Sequence, residues 1–107
     1  MPTVQLTHQK FLDEVFDYTT QKDWNFKGNK PAIIDFYADW CGPCKLIEAD
    51  VHQCFESMPD TVQCAIIDVD KSFDLYAFMK TKKIVKGIPT ILCYYKNNTH
   101  YAPDDVV

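Results

Sequence analysis

Two cysteines stand three positions apart, Cys41 and Cys44, with Gly42 and Pro43 between them and Trp40 in front. Thiols at that spacing can close a small disulfide ring at the start of a helix. The first turn of a helix has free N–H groups and the positive end of the helix dipole. Both favour a thiolate over a thiol, so Cys41 is expected to be the readier nucleophile. Pro43 suits the first helical position, where a missing N–H costs nothing, and Gly42 lets a partner's backbone come close. A helix starting here is expected to bury Cys44 more than Cys41. That asymmetry gives one sulfur that attacks a disulfide and a second that resolves the mixed disulfide.

Asp35 is the next residue with chemistry to offer. It lies inside the apolar run Ala32–Tyr37, where an ionised carboxylate is costly to bury. Desolvation raises the pKa of such an acid, and a buried acid titrating near neutrality can move a proton to or from a thiol.

Other chemistries fit less well. A CxxC pair is half of a zinc site, but zinc wants four ligands. His52, Cys54 and Cys64 are the only candidates nearby, with Cys54 on an apolar helix face and Cys64 inside a strand, so a structural zinc module is the weakest reading. Cys54, Cys64 and Cys93 all fall on apolar faces and are expected to behave as inert small hydrophobes. His8, His52 and His100 lack the serine or aspartate company of a hydrolytic triad and are expected at the surface.

The elements that must position these residues follow from periodicity. Val4 and Leu6 alternate with polar residues as a short first strand. Thr7 caps a helix whose apolar face is Phe11, Leu12, Val15 and Phe16. A polar connector punctuated by Gly28 and Pro31 leads to a buried strand over 32–37. The helix that carries the cysteines has Ile47, Val51, Cys54, Phe55 and Met58 on one face and ends by Pro59. A buried strand over 62–68 follows, then a short helix over 73–79 capped by Ser72 or Asp70. Gly87-Ile88-Pro89 breaks the chain before a strand over 90–95. Lys96-Asn97-Asn98 reads as a hairpin turn and His100-Tyr101-Ala102 as the returning strand, stopped by Pro103. The order β-α-β-α-β-α-β-β implies an α/β fold, a central mixed sheet with helices on both faces.

Composition bounds the rest. With 107 residues the chain is read as one domain spanning 1–107. A hydrophobic fraction of 47% excludes a disordered tail. The net charge of −4 leaves no basic footprint for nucleic acid, and the cluster Lys80, Lys82, Lys83 and Lys86 reads as a solvated helix end. No apolar run reaches membrane-spanning length, and the first residues lack a signal-peptide core. The expected compartment is therefore the cytoplasm, where an odd set of five cysteines stays reduced.

The segment FYADWCGPCK resembles the active-site segment of thioredoxins, and GIPT at 87–90 resembles that family's second signature. The resemblance runs from the first strand to the hairpin. It implies a thioredoxin-like fold and a protein disulfide reductase that needs no bound cofactor. Disulfide-containing client proteins would be its substrates, and a thioredoxin reductase drawing on NADPH would regenerate it. It implies a cis Pro89 facing the disulfide, with Ile88 offering its backbone to the client and Trp40 packing beside the cysteines. It also implies that Asp35 is the general acid/base for Cys44.

The sequence departs from the family at three places. Ala49 stands where a proline usually kinks the long helix, and Tyr37 where Trp is frequent. After the hairpin the family continues with a glycine-bearing loop and a last helix, whereas here the sequence ends at Asp104-Asp105-Val106-Val107. The last helix is therefore expected to be lacking, leaving one sheet face open. An interaction module that binds partners through that face, its thiols secondary, is the alternative function.

Overall fold

The computed structural model describes residues 3–21 and 26–94. They form β1 (Val4–Gln5), α1 (His8–Glu14), β2 (Ala32–Tyr37), α2 (Gly42–Glu56), β3 (Gln63–Asp68), α3 (Phe73–Thr81) and β4 (Thr90–Tyr94). The order expected from the sequence holds up to β4, with boundaries moved by a residue or two. The anticipated turn at 96–98, the returning strand and the residues of any last helix lie outside the described residues. None of the described helices is long and apolar enough to cross a membrane.

The sheet is mixed, in the order β1-β3-β2-β4. β1 and β2 both run parallel to β3, while β4 runs antiparallel to β2. Parallel neighbours cannot be joined by a hairpin, so α2 carries the chain from β2 across to β3.

Side chains alternate across a strand, and register sorts them here. Ala32, Ile34 and Phe36 of β2 share a face with Ala65 and Ile67 of β3 and with Leu92 and Tyr94 of β4. That face joins Phe11, Val15 and Phe16 in and after α1, and Leu75 and Met79 of α3, in one apolar cluster. The Phe11 ring meets Tyr94 edge-on at 6.5 Å between centroids. Burying each of these large side chains stabilises the fold by about 1.5–3 kcal/mol.

The opposite face carries Ile33, Asp35 and Tyr37, with Cys64 and Ile66 beside them on β3 and Ile91 and Cys93 on β4. Helix α2 covers part of this face. Its expected apolar stripe is only partly buried: Phe55 is in the core, Ile47, Val51 and Met58 are half-buried, and Cys54 is exposed. A single helix against a flat sheet hides its innermost line of residues and leaves the flanks of the stripe in solvent.

Local signals explain the ends. The Thr7 hydroxyl accepts from Lys10 N–H at 3.1 Å and caps α1. Helix α3 begins after Ser72, whose side chain makes no capping bond. Lys83, just past its end, takes a left-handed conformation, which is how helices commonly terminate.

Candidate active site

Three strand ends bring the chemical residues together. β2 and β3 are parallel with Tyr37 opposite Asp68, so the chain leaves both strands at one edge. β4 begins opposite Phe36 at Thr90, so Gly87-Ile88-Pro89 reaches the same edge. That edge is where α/β sheets hold their ligands, outside the carboxyl ends of the parallel strands. Val69 N–H donates to the Tyr37 carbonyl at 2.9 Å and ties the two exits together.

Cys41 is the N-cap of α2, and Pro43 sits in the first turn behind it. A disulfide joins Cys41 to Cys44, with the Cα atoms 5.2 Å apart. The Cys44 backbone N–H, one of the free donors of the first turn, donates to Cys41 Sγ at 3.2 Å.

Burial does not distinguish the two cysteines. Cys41 is 4% exposed and Cys44 6%, against the expectation that Cys44 is the deeper. The bond ties Cys41 to a sulfur on the inward side of the helix, and both join the apolar cluster. Their surroundings differ instead. Cys41 Sγ receives an N–H, while Cys44 lines a cavity that Asp35 also lines.

That cavity has a volume of about 430 Å³ and lies between α2 and the sheet. Asp35 is 8% exposed, and its Oδ1 is buried without a hydrogen-bond partner among the described residues. Desolvation, followed by the charge of Glu48, raises its pKa from 3.8 to about 6. A carboxyl that titrates near neutrality, beside a thiol, can exchange a proton with it.

Trp40 is 68% exposed, and its indole N–H donates to Asp70 Oδ2 at 2.9 Å. The ring is thus held at the surface next to Cys41 instead of being absorbed into the core. A Cβ built on Gly42 would meet nothing of the chain within 4 Å. The Ile88–Pro89 peptide bond is cis. The Thr90 hydroxyl donates to the Gly87 carbonyl and closes the turn around that bond. Ile88 and Pro89 are half-buried, Ile88 against the core.

The remaining cysteines stand apart. Cys64 is buried and Cys93 half-buried, and burial pushes both thiols up. Cys54 is exposed, contrary to its expected place in the core. His8 bonds Tyr18 through its ring nitrogen at 2.7 Å, and His52 lies 3.6 Å from Glu56.

Two residues escaped the sequence reading. Glu48 is one helical turn beyond Cys44, and that i,i+4 spacing was a usable signal. Asp70 was weighed only as a helix cap; its partnership with Trp40 depends on the β2–β3 register, which the sequence does not display.

Residues 2–106 match the model of the Thioredoxin family. The chain belongs to the thioredoxin family. It is 38% identical to a thioredoxin of Borreliella burgdorferi over 89 residues, which are 83% of this chain and 73% of that protein. It is 42% identical to a thioredoxin of Ophiophagus hannah over 71 residues, 66% of this chain and 62% of that one. Among solved structures, chloroplastic thioredoxin z superposes with a TM-score of 0.66 at 25% identity, over 95% of this chain and 80% of that one. The Trx4 domain of ERdj5 gives a TM-score of 0.68 at 22% identity, over 94% of this chain and 80% of that one, a likeness of fold.

The fold is therefore thioredoxin-like, and the Cys41–Cys44 pair is its CxxC centre for dithiol–disulfide exchange. A partner-binding module without redox chemistry is not favoured by these relatives.

Proposed function

We propose that the chain reduces protein disulfides with Cys41 as nucleophile, Cys44 as resolving thiol and Asp35 as the proton carrier of Cys44. The Cys41 thiolate attacks a client disulfide, forming a Cys41–client bond and releasing one client thiolate, which takes a proton from solvent. Asp35 then accepts the Cys44 proton, and the Cys44 thiolate attacks Cys41 Sγ. The Cys41–client bond breaks, the second client sulfur leaves with the electron pair and is protonated, and the Cys41–Cys44 disulfide remains. Two electrons have passed from this dithiol to the client.

The observation that carries this assignment is the shared cavity: a buried Asp35 oxygen, without a hydrogen-bond partner among the described residues, on the wall that Cys44 also lines. Clients dock across Trp40, Gly42, Pro43, Ile88 and Pro89. Gly42 supports this surface, because its missing side chain leaves open space outside the chain. A thioredoxin reductase drawing on NADPH is the proposed donor, on the strength of family membership. We assign the chain to the cytoplasm. The Borreliella relative supports this, and the chloroplastic thioredoxin Y1 of Arabidopsis thaliana, 25% identical over 92 residues, is the counter-case. Fractionation of cells that express it would decide between them.

Reduction of insulin disulfides by the purified chain with dithiothreitol tests the activity. Catalysis is expected from the wild type and none from Cys41→Ser. A folded wild type without activity would contradict the proposal.

A further inference from the structure

We infer that Glu48 is a positioning residue for the exchange reaction, its carboxylate adding to the effect of burial in setting the pH range over which Asp35 can take the Cys44 proton. The inference rests on the assignment of Asp35 as the proton carrier of Cys44.

The geometry is that of one cavity seen from both walls. Helix α2 contributes Cys44, Lys45, Glu48 and His52, and the sheet side contributes Asp35, Tyr37 and Asp39. Thr3 and Ile66, on the β1 and β3 side, bring no charge. The acids Asp35, Asp39 and Glu48 thus share this space with Lys45 and the His52 imidazole. His52 is drawn toward Glu56 at 3.6 Å. Among the described residues no salt bridge neutralises Glu48.

Glu48 therefore presents a net negative charge to a carboxyl that burial already disfavours as an anion. Its field acts on Asp35 in the same direction as desolvation. Among the described residues no hydrogen bond or ion pair joins Glu48 to Cys41 or Cys44, and the electrostatic partner the structure gives it in this cavity is Asp35. As Glu48 is exposed on α2, its influence passes partly through solvent and is weakened by salt.

The test is the pH profile of the decay of the Cys41–insulin mixed disulfide, followed by quenched flow in a single turnover, for the full chain and for Glu48→Gln, Asp35→Asn and the double variant. Glu48→Gln keeps size and shape on an exposed helix face and removes only charge. The wild-type rate should rise through an inflection near the Asp35 pKa of about 6. In Glu48→Gln the inflection should move to lower pH by about 0.5 unit or more, so this variant is about 2–3 times faster on the acid side and equal on the alkaline side. The displacement should shrink at about 1 M salt. The double variant should follow Asp35→Asn, whose profile lacks the inflection. A Glu48→Gln profile superimposed on the wild type, with Asp35→Asn still flat, would overturn the role of Glu48 and leave that of Asp35 standing. A displacement that persists without Asp35 would also overturn it. An inflection retained in Asp35→Asn would overturn the Asp35 assignment, and the Glu48 inference with it.

Discussion

Asp35 on β2 and Cys44 on α2 line the same cavity, and Asp35 Oδ1 has no hydrogen-bond partner there among the described residues. A sheet residue and a helix residue close in sequence thus meet across a space open to solvent. The relationship joins the strand that buries an acid to the helix that carries the proposed resolving thiol.

Removing the acid should slow the second half of the reaction more than the first. Positioned acid–base groups contribute about 10²–10⁴-fold. Asp35→Asn should therefore resolve the mixed disulfide at least about tenfold more slowly near neutral pH. The rate of initial attack by Cys41 should change little. Quenched-flow separation of mixed disulfide from product checks this.

The same acid should leave a mark on stability. Its folded pKa is raised from 3.8 to about 6 by burial and by Glu48, so the folded state binds the proton more tightly than the unfolded chain. The stabilisation linked to that proton is complete below the unfolded pKa and is lost as pH rises through about 6. Asp35→Asn should gain about 2 kcal/mol over the wild type at alkaline pH, the full shift being reduced because the cavity opens to water. At about pH 3 the difference should vanish. Urea unfolding of both proteins across this range measures it.

Much of this was legible in the sequence. The CGPC spacing, the Pro43 start signal and the apolar run around Asp35 located the site and its strand. The helix cap at Thr7 and the alternation of Ile34 and Phe36 against Asp35 were equally local. What was not legible depends on pairing at a distance. The Trp40–Asp70 bond requires β2 and β3 to be in register, and the exposure of Cys54 depends on how much of α2 the sheet covers. The near-equal burial of Cys41 and Cys44 depends on what packs over each of them, which the helix position alone does not convey.

The Trp40–Asp70 hydrogen bond lies at the surface, so its loss should cost stability by no more than about 1 kcal/mol. Trp40 sits next to Cys41 on the proposed docking surface, however. Asp70→Ala or Trp40→Phe should therefore raise KM for protein disulfides while leaving reaction with a small disulfide such as oxidised dithiothreitol nearly unchanged. Parallel assays with the two substrates check this.

The three cysteines outside the centre should differ in reactivity according to exposure. Burial holds Cys64 and Cys93 as thiols, whereas Cys54 is open to reagent. Iodoacetamide applied to the folded, oxidised chain near neutral pH should label Cys54 first, with Cys64 last or only after unfolding. Peptide mass spectrometry over a time course reads the order.

The central claim is that Cys41 attacks and Cys44 resolves. Mixing reduced Cys44→Ser with a protein disulfide, followed by non-reducing mass spectrometry, tests it most directly. A stable adduct of chain and client linked through Cys41, absent from Cys41→Ser and released by dithiothreitol, is the predicted result. Full turnover by Cys44→Ser without an adduct, or an adduct mapped to another cysteine, would contradict it.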